Sequence, residues 1–175
     1  MIDAGPVATT AVWVTVAVWF VGERALTIRD LARHVWRRGR QDAGSTYWVV
    51  AGVAGGLLCA LGFAARSVLR LPHPTLLVAA GLVVMWAGIL LRGWSVVMLG
   101  RSFTTMVVVT SDQPVVSRGP YRVVRHPSYL GLMLILLGLG LALGDLASIV
   151  VIVVLPAVGL ARRIAVEEGA MSAAL

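Results

Sequence analysis

Polar and apolar residues alternate along this chain in long blocks. Five apolar blocks stand out, at about 6–22, 47–65, 75–92, 129–144 and 146–161. Each approaches the roughly 20 helical residues needed to cross a bilayer core. The period of a half-buried strand, apolar at every second position, is not the pattern here. The blocks predict an all-α integral membrane helical bundle with about five transmembrane helices. Only Gly144 and Asp145 divide the last two, so these are expected as a tight helical hairpin. Gly52 with Gly56, and Gly140 with Gly144, have the small-xxx-small spacing that lets membrane helices approach closely, although flexible glycine explains them as well.

Composition supports the membrane reading. Hydrophobic residues make up 59% of the 175, charged residues only 13%, and the mean hydropathy is +0.90. That lies outside the soluble range, and the length suits one domain spanning 1–175. All fifteen basic residues are Arg. A net charge of +7 would suit nucleic acid. The Arg residues sit mostly in short connections between apolar blocks, however, which favours topology signals and membrane lipids as partners over nucleic acid. Cys59 falls within an apolar block and has no intrachain partner, so neither a disulfide nor a cysteine metal site is expected. The first residues lack a basic n-region, so the first block reads as a retained span.

Counting Arg in alternate connections gives the orientation. With the first loop inside, twelve Arg fall on the inner side and only Arg66 and Arg70 outside. This predicts a multi-pass cell-membrane protein with its long loop at 100–128 and its tail facing the cytoplasm. Arg92 comes about 18 residues into the third block, at the inner interface beside Trp94. There it is expected to snorkel to lipid phosphates. Arg29, Arg33 and Arg37 recur every four residues, as on a short amphipathic helix lying on anionic lipid, or as in a solvated loop. His34 among them is expected at the interface.

Chemistry-bearing residues gather on the inner side. In "RGPYRVVRHPSYLG", Pro127 lacks an N–H and pushes His126 out of the α region, so a helix entered through extended backbone should begin near Ser128. Free N–H groups at such a start suit an anionic or polar ligand edge. Tyr121, Tyr129, Arg122 and Arg125 fit either a ligand pocket or an interfacial anchor. In the tail, Arg163 and Glu167 lie four apart and share a helix face, with Glu168 about 100° further round. Paired acids beside so much Arg either form ion pairs with Arg122 and Arg125 or hold a ligand.

The run "LRGWSVVMLGRSFTTMVVVTSDQPVVSRGPYRVVRHPSYLG", followed by a hairpin and "RRIAVEE", resembles the isoprenylcysteine carboxyl methyltransferase family, over roughly 91–168. The motifs that carry the likeness are G-x-Y, R-H-P-x-Y-x-G and R-x-x-x-E-E. The resemblance implies membrane helices at 1–90, a cofactor-binding catalytic core at 91–175, and S-adenosylmethionine held on the cytosolic side. It further implies a lipophilic, prenylcysteine-like carboxylate entering from the bilayer, and no metal. It assigns cofactor contacts to Gln113, Pro114, Val115 and Val116, to Tyr121, to His126, Pro127, Ser128 and Tyr129, and to Glu167. Arg163 would bind the substrate carboxylate and be the catalytic residue that aligns it.

Methyl transfer from a sulfonium to an ionised carboxylate needs alignment and desolvation but no strong base. On that reading His126 is a hydrogen-bonding element, whereas a thiol or amine acceptor would make it a proton acceptor. Two rival functions stand beside this enzyme. An NADPH-dependent reductase of the sterol-reductase type has a similar R-H-P-x-Y motif, but a longer chain and a need for further Arg. A non-catalytic membrane protein would use the same Arg and Tyr as anchors.

Overall fold

The structure, a computed structural model, describes residues 4–32, 42, 44–105 and 116–174. It is all-α, with helices α1 (Pro6–Ala32), α2 (Ser45–Arg66), α3 (Pro74–Leu99), α4 (Pro127–Leu143) and α5 (Leu146–Ala174). Four are long and apolar enough to cross a membrane, and α4, at 17 residues, is the short one. The expected five-helix membrane bundle is what forms. The helices outrun the apolar blocks because helical hydrogen bonding continues into the Arg-bearing flanks. Thus α1 runs ten residues past Gly22 and α5 thirteen past Ala161. Two short 3-10 turns, Gly100–Ser102 and Gly119–Arg122, were not foreseen from the apolar pattern.

Close backbone approach sets the packing. A Cβ on Gly81 would lie 2.5 Å from the Gly138 carbonyl oxygen, and one on Gly88 2.6 Å from that of Gly131. These two glycine pairs, each seven residues apart, bring α3 onto α4 with Met85 and Ile135 fully buried between them. Gly52 and Gly56 do the same for α2 against α5, where they meet Leu155, Ile152 and the buried Pro156. Without side chains at those positions the helices gain dispersion contacts along their length, the main attraction available in lipid. Gly140 packs on Ile149 and Ile152, as its spacing suggested. Gly144 does not: it takes φ 67° as the C-cap of α4, and its N–H bonds to the Leu141 carbonyl, so its task is to end the helix.

The hairpin turn is tied to the α2–α3 connection. Leu71 donates to the Gly144 carbonyl and Leu146 to that of Leu69, both at 2.9 Å. The buried Asp145 carboxylate accepts from the Leu69 N–H at 2.7 Å and the Ser148 N–H at 3.0 Å. Burial by itself would raise the Asp145 pKa, but these bonds outweigh it and hold the carboxyl below its ordinary value. Arg66 and Arg70 lie at this end of the bundle. The α1 C-terminus, the start of α2, the α3–α4 connection and the α5 tail all lie at the other. Successive helices therefore alternate in direction. Arg29, where the suspected amphipathic segment starts, lies in the last turn of α1 and pairs with Asp30 at 3.1 Å; Arg33, His34, Arg37 and the rest of 33–40 lie outside the described residues.

Candidate functional site

The site is built on the first turn of α4. Pro127 occupies the first helical position and His126 the cap, with φ −122° and ψ 62°. Both Tyr129 and Leu130 donate their backbone N–H to the His126 carbonyl at 3.1 Å. Pro127 thus keeps His126 out of the α region, as expected, although the His126 ψ stops short of the extended backbone expected there. The His126 ring stacks on that of Tyr129, 5.4 Å apart and 9° from parallel.

Tyr129 is the meeting point. Its hydroxyl receives a hydrogen bond from Arg163 Nε at 2.7 Å and donates one to Glu167 Oε2 at 2.6 Å. An arginine can only donate, so the phenolic proton has one direction left, toward Glu167. The four-residue spacing in α5 does put Arg163 and Glu167 on one face, and they grip the same oxygen from its two sides. Glu168, one step round the helix, reaches His126, with Oε1 3.4 Å from Nε2. The two acids thus engage the R-H-P-x-Y motif and not Arg122 or Arg125.

Arg163 is buried, 6% exposed. Besides Tyr129 it donates to the Thr46 hydroxyl at 2.8 Å and the Thr105 carbonyl at 2.9 Å, and it lies 3.5 Å from Asp42 Oδ1. The Thr46 hydroxyl in turn donates to Asp42 at 2.9 Å. Thr105 is held from its other side too, its N–H bonded to the fully buried Asp30 at 2.6 Å. The Phe103–Thr105 segment is thereby fixed between α1 and α5, with Arg29 donating to the Phe103 carbonyl at 2.8 Å.

Arg92 corrects an expectation. It does not reach for lipid phosphate: its guanidinium forks onto the Glu23 carboxylate of α1 through Nε and Nη2. Nη1 donates to both the hydroxyl of Ser128, at 2.7 Å, and its carbonyl, at 3.0 Å. Room for it exists because residue 131 is glycine, where a Cβ would sit 2.9 Å from that of Arg92. A guanidinium with a carboxylate in reach inside the apolar layer pairs there, since desolvated charge is costly alone.

Tyr121 comes from the Gly119–Arg122 turn, which lies against α3 with Gly119 packed on Met98 and Trp94. Its hydroxyl lies 3.5 Å from the Ser95 carbonyl. Burial, and then the Glu167 carboxylate, push its pKa up to about 12, while Arg92 pulls the other way. That both charges act on one phenol puts Tyr121, Arg92 and Glu167 in one electrostatic neighbourhood.

Of the residues singled out from sequence, the structure brings together Tyr121, His126, Pro127, Ser128, Tyr129, Arg163 and Glu167. Val116 is half-buried at the start of the segment leading to Tyr121. Gln113, Pro114 and Val115 lie outside the described residues. Sequence reasoning missed Glu23, Asp30, Asp42, Thr46 and Thr105, and misread Arg92. A signal existed for Glu23 and Arg92: opposite charges at the corresponding ends of two apolar blocks are more stable as partners than apart. Among the described residues no group of three His, Cys, Asp or Glu suits a metal ion.

Comparison with known proteins bears on this constellation. The model of the isoprenylcysteine carboxyl methyltransferase (ICMT) family matches residues 79–173, from α3 through the α5 tail. A curated relative, Protein-S-isoprenylcysteine O-methyltransferase A of Arabidopsis thaliana, is 32% identical over 90 residues, or 50% of this chain and 46% of the relative. The chain thus spans about half the length of that relative. No solved structure matches. The family match covers more than half of the chain and takes in the Tyr121 turn, the R-H-P-x-Y helix start and the R-x-x-x-E-E tail, and so this chain is a multi-pass membrane protein that belongs to the isoprenylcysteine carboxyl methyltransferase family.

Proposed function

We propose that the protein is an S-adenosylmethionine-dependent O-methyltransferase that methylates a lipophilic, prenylcysteine-like carboxylate at the cytoplasmic face of the cell membrane. The observation that carries this reading is the Arg163–Tyr129–Glu167 hydrogen-bonded chain, with His126 stacked on it, at the Arg-rich end of a membrane bundle. Family membership and the relative's name agree with it.

The donor set suits S-adenosylmethionine. Two carboxylates, Glu167 and Glu168, match its cationic centres, and the stacked His126 and Tyr129 rings offer a flat wall for its adenine. When bound, the cofactor supplies an electrophilic methyl group. Glu167, fixed by Tyr129, presents its second oxygen to it; His126, Pro127, Ser128 and Tyr121 complete the wall, together with Gln113, Pro114, Val115 and Val116. Arg163 has five N–H donors and uses its remaining capacity to orient the acceptor carboxylate. Attack by that carboxylate neutralises opposite charges, so burial away from water accelerates it and no base is needed.

One observation favours a second acceptor class. Glu168 stands 3.4 Å from the His126 ring and can orient the imidazole as a proton acceptor, which a thiol or ammonium acceptor requires and a carboxylate does not. Calorimetry of the purified protein in detergent tests the cofactor reading: S-adenosylhomocysteine should bind and NADPH should not, and His126→Ala and Tyr129→Ala should weaken binding roughly 5- to 150-fold. Binding of NADPH alone would move the protein to the reductase class. A screen with tritiated cofactor over prenylcysteines, isoprenoid acids, phospholipid amines and hydrophobic thiols then identifies the acceptor.

A further inference from the structure

The family match begins at residue 79, so α1 and α2 lie outside it. Yet the half-buried Arg92 and the buried Arg163 both take their counter-charge from that unmatched half. Arg92 forks onto Glu23 of α1. Arg163 is backed by Asp42, directly at 3.5 Å and through the Thr46 hydroxyl, which accepts from Arg163 at 2.8 Å and donates to Asp42 at 2.9 Å. The far sides of the two guanidiniums then land on neighbouring residues: Arg92 on Ser128 and Arg163 on Tyr129. The first turn of α4 is clamped between two cations approaching from different helices.

This arrangement opposes simple electrostatics. A helix N-terminus carries about half a positive charge, and a cation beside it is unfavourable. Two guanidiniums at the start of α4 are tolerable only if carboxylates neutralise them, and in the apolar layer screening by water is weak. Glu23 is 22% exposed at its side chain and Asp42 only 3%, so neither is a solvated surface acid.

We propose that Glu23 and Asp42 are positioning residues of the methyltransferase site, acting through Arg92 and Arg163 to fix Ser128 and Tyr129 and so the wall on which the cofactor lies. The N-terminal helices then tune the affinity of a site to which they contribute no direct ligand contact. The cofactor part of this inference rests on the proposed function; the clamp on α4 does not.

The test separates a clamp from a plain interhelical ion pair. Exchanging the charges, Glu23→Arg with Arg92→Glu, rebuilds the pair between α1 and α3; the new carboxylate can accept from the Ser128 hydroxyl but cannot donate to the Ser128 carbonyl, which loses its cation. Melting in detergent, amide hydrogen exchange at Tyr129 and Leu130, and S-adenosylhomocysteine calorimetry are measured together. The clamp predicts melting near wild type, faster exchange at those two amides, and a Kd raised about 10-fold. If the exchange variant restores amide protection and affinity along with melting, the pair merely ties helices together and the proposal falls. Should that variant fail to fold, Glu23→Gln and Thr46→Val keep shape and decide the matter: each should speed exchange at Tyr129 and Leu130, and unchanged rates in both refute the clamp. If the wild type binds no S-adenosylhomocysteine, the proposed function fails, while the exchange data still judge the clamp.

Discussion

Tyr129→Phe removes a single oxygen, and the geometry around that oxygen forecasts two separate effects. In the native site it accepts from Arg163 Nε at 2.7 Å and donates to Glu167 Oε2 at 2.6 Å, both bonds to charged partners. Bonds of this kind are worth about 1.5 to 3 kcal/mol each, so leaving both partners unsatisfied would be severe. The partners need not stay unsatisfied, because they are oppositely charged and both already lie within 2.7 Å of the same oxygen. With the oxygen gone a small side-chain shift closes them into a direct ion pair, and most of the stability loss is recovered. Melting in detergent should fall by the equivalent of at most about 1 kcal/mol. What is not recovered is the orientation of Glu167, which the hydroxyl proton fixes and which the proposed cofactor contact needs. Loss of one such charge-assisted contact weakens S-adenosylhomocysteine binding about 10- to 150-fold. Calorimetry beside a melting curve reads both quantities on one preparation. Native affinity in Tyr129→Phe would show that the hydroxyl does not orient Glu167 for a ligand; a collapse of melting with no folded fraction would show that the ion pair cannot close and that the bridge is a structural element.

Further outcomes follow from the same geometry. In a Cys59→Ala background, an impermeant maleimide applied to intact cells should label cysteine at Leu71 but not at the 87% exposed Val123, and the reverse pattern would invert the orientation and place the site outside the cytoplasm. Gly88→Val puts a branched side chain where even a Cβ meets the Gly131 carbonyl oxygen at 2.6 Å, so it should destabilise the bundle by about 1 to 3 kcal/mol, whereas Gly93→Ala, with open space around it, should leave melting unchanged. Because the Asp145 carboxyl is held below its ordinary value, its contribution is present above the unfolded carboxylate pKa of about 4 and is lost as pH falls through the lower folded value. Asp145→Asn should therefore lower melting at neutral pH and flatten its fall below about pH 4; an unaltered acid limb would mean that another carboxylate governs it. Tyr121, with its pKa pushed up to about 12, should stay protonated across any working pH, so ultraviolet titration of a Tyr121→Phe variant should lose only a late-titrating phenol.

The sequence by itself determined the class, the number of helices, their alternating direction and the two motifs of the site, since these depend on local quantities. Block length decides whether a segment can span the bilayer. Arg placement sets the expected orientation. Pro127 keeps His126 out of the α region at the start of α4, and a four-residue spacing puts Arg163 and Glu167 on one face whatever else the chain does. Tertiary structure decided the partners. Nothing local says that Glu167 meets Tyr129, thirty-eight residues away, and not an arginine, because competing partners for a charge differ only in where helices bring them. Arg92 shows the cost of a local argument: its depth allowed it to reach lipid phosphate, but α1 places a carboxylate nearer, and inside an apolar layer the nearer counter-charge prevails. The glycines show the same division. Gly140 and Gly144 share one spacing, yet one packs against a helix and the other ends one. Gly81 and Gly88 acquire their meaning only opposite Gly138 and Gly131. The carboxylates of α1 and of the start of α2 read as ordinary loop and helix charges until the fold sets them behind the two arginines that hold α4, since a counter-ion is defined by what it faces and not by its neighbours in the chain.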